Sequence, residues 1–151
     1  MTARQIPDSA RTPGSALLRH FGHSSFRPGQ EDVVRAVLAG RDVLAVMPTG
    51  DGEAAIYQVA SLHLHQLTGH PAVVVSPLIA LQEDQLDALA GNLGPDTAVA
   101  INSSHSDSEV EAAWEAAEAG KAVFVFLAPE QLAKQSTVER IAALDISLFV
   151  V

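Results

Sequence analysis

Five short apolar runs alternate with helical stretches along this chain, and that alternation decides its fold class. The runs are residues 43–47, 72–76 (AVVVS), 97–101, 122–127 and 146–151. A strand with one wet face alternates apolar and polar residues. A continuous run marks a strand covered on both faces, as in a parallel sheet between helical layers. The stretches between the runs read as helices. Residues 30–39 carry Val33, Val34, Val37 and Leu38 at helical spacing and end at Gly40. Residues 54–67 and 78–90 follow. Ser106-Asp107-Ser108-Glu109 is a capping box that opens a helix stopping at Gly120. Residues 129–144 supply further helical turns. An earlier short helix, 15–21, has Ser15 as its cap and Gly22 as its stop. The expected fold is α/β: a parallel sheet of about five strands flanked by helices. The last run has no helix after it, so the domain is expected to be incomplete at its C-terminus.

Composition excludes several classes of function. The 151 residues include no cysteine, which removes disulfides, thiolate metal sites and cysteine nucleophiles. Residues 1–14 are polar, carry two prolines and lack the apolar centre of a signal peptide, so they are expected to form a flexible tail. No apolar run is long enough to span a membrane, and a cytoplasmic location is expected. The net charge is −9 and is unevenly spread. Residues 1–41 hold six Arg against three acids, whereas residues 42–151 hold three basic residues against fifteen acids. A bulk electrostatic grip on nucleic acid needs clustered Lys and Arg. Any such contact here has to come from a few placed groups.

One loop carries a recognisable chemistry. Met47-Pro48-Thr49-Gly50-Asp51-Gly52-Glu53-Ala54 follows an apolar run and opens a helical stretch. In a phosphate-binding loop, backbone N–H groups converge on phosphate oxygens, and the helix N-terminus adds partial positive charge. Gly50 and Gly52 permit that close approach. The working pattern ends Gly-Lys-[Ser/Thr], and here it ends Gly52-Glu53-Ala54.

Several motifs in order extend the match. They are Phe21-Gly22; Phe26-Arg27-Pro28-Gly29-Gln30; residues 41–50; Tyr57-Gln58; Ser76-Pro77-Leu78-Ile79-Ala80-Leu81 with Asp84-Gln85; Asn102-Ser103; and Ala128-Pro129-Glu130-Gln131-Leu132. Together they resemble the RecQ family of ATP-dependent DNA helicases over residues 15–151. The resemblance implies an N-terminal RecA-like domain with ATP and Mg²⁺ as cofactors and single-stranded or duplex DNA as partner. It places Arg27 and Gln30 at the adenine, and residues Pro48, Thr49, Gly50, Asp51, Gly52, Glu53 and Ala54 around the phosphates. It places Ser76, Pro77, Leu78 and Asn102 at the DNA backbone. A glutamine amide donates and accepts at once, as an adenine edge requires. Ser76 and the N–H groups after it can meet phosphate without a lysine.

The chain departs from the family twice. Glu53 stands where the family has lysine, and Ala54 where it has a hydroxyl for Mg²⁺. Two unit charges ~4 Å apart interact by ~4 kcal/mol at an effective dielectric near 20, so the exchange turns attraction into repulsion. Asp51 adds a further negative charge. The sequence also stops before the family's Asp-Glu-x-His box and the second RecA-like domain, whose arginine finger completes the ATP site. The expectation is an ATP-binding helicase domain that is impaired, with no catalytic residue of its own. Two alternatives are a non-hydrolysing module that binds DNA or a protein, and a fragment without separate function. His63, His65 and His70 lack metal-ligand spacing, so no metal site is assigned. Trp114, with Val110, Ala113 and Ala117, reads as core. Asp107, Glu109, Glu111, Glu115 and Glu118 read as a solvated face.

Overall fold

The computed structural model describes residues 14–48, 50 and 52–151. The expected tail up to residue 13, and the loop residues Thr49 and Asp51, lie outside the described residues. The chain divides into two units, Met1–His63 and Leu64–Val151.

In the second unit, four strands form one parallel sheet: β1 (Ala72–Val75), β2 (Ala98–Ile101), β3 (Phe124–Leu127) and β4 (Leu148–Val150), in the order β2-β3-β1-β4. Its helices are α3 (Ile79–Leu93), α4 (Asp107–Glu118) and α5 (Gln135–Ala143), with a 3₁₀ helix at Pro129–Ala133. Every residue of β1 and β3 is buried. Val73, Val75, Ile101, Val125 and Leu127 point to one face, where Trp114, Ala113, Ala116 and Ala117 of α4 and Leu144 cover them. Phe124 and Phe126 lie on the alternate face and stack with ring centroids 6.5 Å apart. Burial on both faces is the reason these runs show no alternation. Burying each large apolar side chain contributes about 1.5–3 kcal/mol.

α4 opens as the sequence dictates. Ser106 Oγ accepts the Glu109 N–H, and the Glu109 carboxylate accepts the Ser106 N–H at 2.7 Å. That backbone hydrogen bond, then the Ser106 hydroxyl, holds the Glu109 carboxyl below its ordinary range. Arg140 of α5 lies 4.8 Å from the Trp114 ring centre and donates to both Glu111 and Glu118. Two members of the acidic face are therefore tied to α5.

The first unit holds a 3₁₀ helix (Ser15–Phe21), α1 (Gln30–Leu38) and the start of α2 (Glu53–Thr68). Leu18, Val34, Ala55, Ile56 and Val59 form its core, with Phe21, Phe26, Val33, Leu38 and Met47 packed around them. The cap of the first helix differs from expectation. Gly14, with φ 83°, precedes the helix, and Ser15 lies inside it. A backbone already turned left-handed needs glycine and leaves no place for a hydroxyl cap.

The run 43–47 is the main correction to the expected architecture. Residues 41–48 form no strand, and among the described residues the sheet has four members. Leu44 is 91% and Val46 88% exposed. A strand exists only as a hydrogen-bonded partner of another strand. Among the described residues, this segment has no such neighbour.

Candidate functional site

The glycine loop is held from below by the start of α1. Gly29, at φ 86°, delivers the chain into the helix, and Gln30 follows as its first, buried residue. Gln30 Oε1 accepts the Arg27 N–H at 2.8 Å, and its Nε2 donates to the Gly52 carbonyl at 2.9 Å. Arg27 Nη1 donates to the Gly50 carbonyl at 3.3 Å. Gly50 and Gly52 are both left-handed, at φ 85° and 80°. A Cβ added to Gly52 would lie 2.8 Å from Gln30 Nε2. Only glycine meets both demands at residue 52. The structure thus brings Arg27 and Gln30 onto the loop, each through a backbone carbonyl.

Glu53 is exposed at the first position of α2, and Ala54 is half-buried after it. Pro48 is exposed. At the opening of a sixteen-residue helix the dipole and free N–H groups suit an anion. The Glu53 carboxylate already supplies one, and Ala54 offers no ligand to a metal. Glu53 and Ala54 thus offer neither the cation nor the hydroxyl that a triphosphate with its Mg²⁺ would meet at this helix start.

The carboxyl edge of the sheet carries a second constellation. Ser76, Pro77 and Leu78 leave β1, with Pro77 and Leu78 exposed. Asn102 leaves β2 and is buried, as is Gln82 on α3. Gln82 Nε2 donates to the Ser76 carbonyl at 2.7 Å, and Asn102 Nδ2 donates to Gln82 Oε1 at 3.1 Å. Asn102 Oδ1 accepts the Ser104 N–H at 3.0 Å and the Ser104 hydroxyl. Both ends of the Asn102 amide are therefore engaged inside the protein, and the exposed groups beside it are Ser103 and Ser104. His105 faces Ala100 O at 3.1 Å and Glu83 Oε1 at 3.0 Å.

Gln82, Glu83 and His105 were not legible as site residues. One signal existed for Gln82. It stands seven residues before the buried Leu89, on the same helical face, so a glutamine occupies an otherwise apolar position. A shallow cavity of about 240 Å³, lined by His70, Pro71, Glu118 and Leu144, lies at the opposite, amino end of the strands. Among the described residues no three His, Asp or Glu side chains come together as a metal site. No helix of the described residues is long and apolar enough to cross a membrane.

Comparison with known proteins identifies the family. Residues 27–151 match the DEAD/DEAH box helicase family. The chain is 35% identical over 135 residues to the "Probable ATP-dependent DNA helicase RecS" of Bacillus subtilis, covering 89% of this chain and 26% of that protein. It is 38% identical over 122 residues to the "ATP-dependent DNA helicase RecQ" of Haemophilus influenzae, covering 81% of this chain and 19% of that protein. It is 38% identical over 125 residues to the "ATP-dependent helicase wrn-1" of Caenorhabditis elegans, covering 83% and 11%. The chain thus spans about a quarter or less of the length of these curated relatives.

Proposed function

The chain belongs to the DEAD/DEAH box helicase family, with RecQ-type relatives, and from that premise we propose that it is the N-terminal, RecA-like nucleotide-binding domain of a DNA helicase whose phosphate loop is impaired. The impairment is carried by one observation: Glu53, exposed at the first position of α2, stands beside the two left-handed glycines of the loop. Without the lysine and the hydroxyl, phosphate affinity falls and the metal loses a ligand. What remains for a nucleotide is the base. Arg27 and Gln30 are assigned to it, and Gln30 would exchange bonds it now makes with Arg27 and Gly52.

The DNA contacts are assigned to Ser76, Pro77, Leu78 and the segment after Asn102. Nucleotide turnover between two such domains would move a helicase of this type along single-stranded DNA. A second reading, a module that binds DNA without hydrolysis, is favoured by the same carboxylate.

Calorimetry with ADP and ATP, with and without Mg²⁺, tests the proposal. Weak affinities that are similar for both nucleotides are expected, together with no phosphate release above background. A strong Mg²⁺-dependent preference for ATP, or DNA-stimulated release that is lost in Gly52→Val, would contradict it.

A further inference from the structure

We propose that His105 is a positioning residue of the DNA-facing edge: with Glu83 it clamps the β2–α4 segment onto α3 through a shared proton. The proposal rests on the reading of that edge as a nucleic-acid contact.

Both ring nitrogens of His105 face acceptors. Nδ1 faces the Ala100 carbonyl oxygen at 3.1 Å, and that oxygen can only accept. Nδ1 therefore carries a hydrogen. Nε2 faces Glu83 Oε1 at 3.0 Å, and a carboxylate also only accepts. A neutral imidazole has a single N–H and cannot satisfy both. The closed pair must hold one more proton than a neutral ring beside a carboxylate. A hydrogen bond of this kind between charged groups is roughly twice as strong as a neutral one. The ring is largely shielded, its side chain being 21% exposed against 44% for Glu83. Two acids face it: Glu83 from α3, and Glu109 from the first turn of α4. From β2 it meets the Ala100 carbonyl.

The clamp acts on a small, defined segment. One residue back, Ser104 is held by Asn102, Asn102 by Gln82, and Gln82 holds the Ser76 carbonyl. Neighbouring residues of α3, Gln82 and Glu83, thus grip the same segment at two points. Ser103 and Ser104 stay exposed while their backbone is fixed, one side-chain amide away from Ser76. The clamp also neutralises Glu83, a carboxylate that would otherwise repel a phosphate chain beside it.

The test uses the full chain and a fluorescent oligothymidylate at fixed low salt, with amide exchange of Ser104 followed by NMR. Ser104 exchange should be slow in the wild type and quicken in His105→Ala. Oligonucleotide affinity should fall about fivefold in His105→Ala, the size expected of one such bond. Glu83→Gln separates clamp from charge. Its amide N–H can donate to a neutral Nε2, so slow exchange and tight binding should persist. Equal Ser104 exchange in all three proteins would overturn the clamp whether or not DNA binds. Slow exchange in the wild type and Glu83→Gln but fast exchange in His105→Ala, in proteins that all fail to bind DNA, would support the clamp and overturn the nucleic-acid reading.

Discussion

Gln30 and Gly52, 22 residues apart in the chain, are joined by one hydrogen bond: Gln30 Nε2 donates to the Gly52 carbonyl at 2.9 Å. A nitrogen so close leaves no room for a Cβ at residue 52, which would come within 2.8 Å of it. Any larger residue at 52 would have to displace the Gln30 amide and adopt a left-handed φ of 80°.

That relationship predicts a non-additive pair. Gly52→Ala should destabilise the chain twice over, by left-handed strain of about 1–2 kcal/mol and by displacing the Gln30 amide. Gln30→Ala alone should cost about 1–3 kcal/mol, because it removes the hydrogen bonds to the Arg27 N–H and the Gly52 carbonyl. In the double variant the clash is gone, so the two losses should sum to more than the combined loss. Urea unfolding of the four proteins measures this. Strict additivity would mean that the two residues do not meet.

The α4–α5 contact predicts a pH dependence of known sign. The hydrogen bond from Arg140 holds the Glu111 carboxyl below its ordinary value of 4.5. A depressed carboxylate contributes stability above its unfolded pKa and loses it as pH falls through the lower, folded value. Arg140→Met should therefore be less stable than wild type at neutral pH, since it loses both the ion pair and the stacking on Trp114. The difference should shrink below pH ~4.5 and at high salt. Tryptophan fluorescence should shift in the variant at neutral pH. A gap that is constant from pH 7 to pH 3 would exclude the ion pair as its source.

What the sequence made legible, and what it hid, differs from residue to residue. The runs at 72–76, 97–101, 122–127 and 146–151 became β1 to β4; in β1 and β3 burial on both faces writes itself into the sequence as unbroken apolar residues, whereas β4 is apolar yet only partly buried. The capping box at Ser106 was equally plain, since both its bonds are local. Residues 43–47 misled because they have the composition of a strand but, among the described residues, no partner. Composition says what a strand can be made of, and pairing decides whether it forms. The loop's altered end was visible at once in Glu53 and Ala54. The pairing of Glu83 with His105 was not, because 22 residues separate them and their meeting depends on how α3 and β2 are placed.

The exposed run gives a further prediction. Leu44 and Val46 are almost fully exposed, so Leu44→Lys with Val46→Lys should change stability by no more than about 0.5 kcal/mol. Leu18→Ala, in the buried core of the same unit, should cost about 2–5 kcal/mol. Light scattering should show less self-association in the lysine variant, since an apolar, strand-like segment in water invites pairing between molecules. A large loss of stability in the lysine variant would mean that this segment is packed in solution.

The decisive variant for the phosphate loop is Glu53→Lys with Ala54→Ser. It removes one negative charge, adds a positive one and returns a hydroxyl at the N-terminus of α2, where partial positive charge already favours an anion. Gly50 and Gly52 are kept, both left-handed. Arg27 and Gln30, which hold their carbonyls, are untouched. Affinity for a triphosphate should rise by a few kcal/mol, bounded by the ~4 kcal/mol of a single close charge pair and lowered by screening at an exposed site. The gain should require Mg²⁺, because the hydroxyl acts through the metal. Titration of a fluorescent ATP analogue against both proteins, with and without Mg²⁺, measures the change. Equal affinities would mean that the loop does not bind phosphate in this chain, and that its likeness to a nucleotide site lies in descent rather than in use.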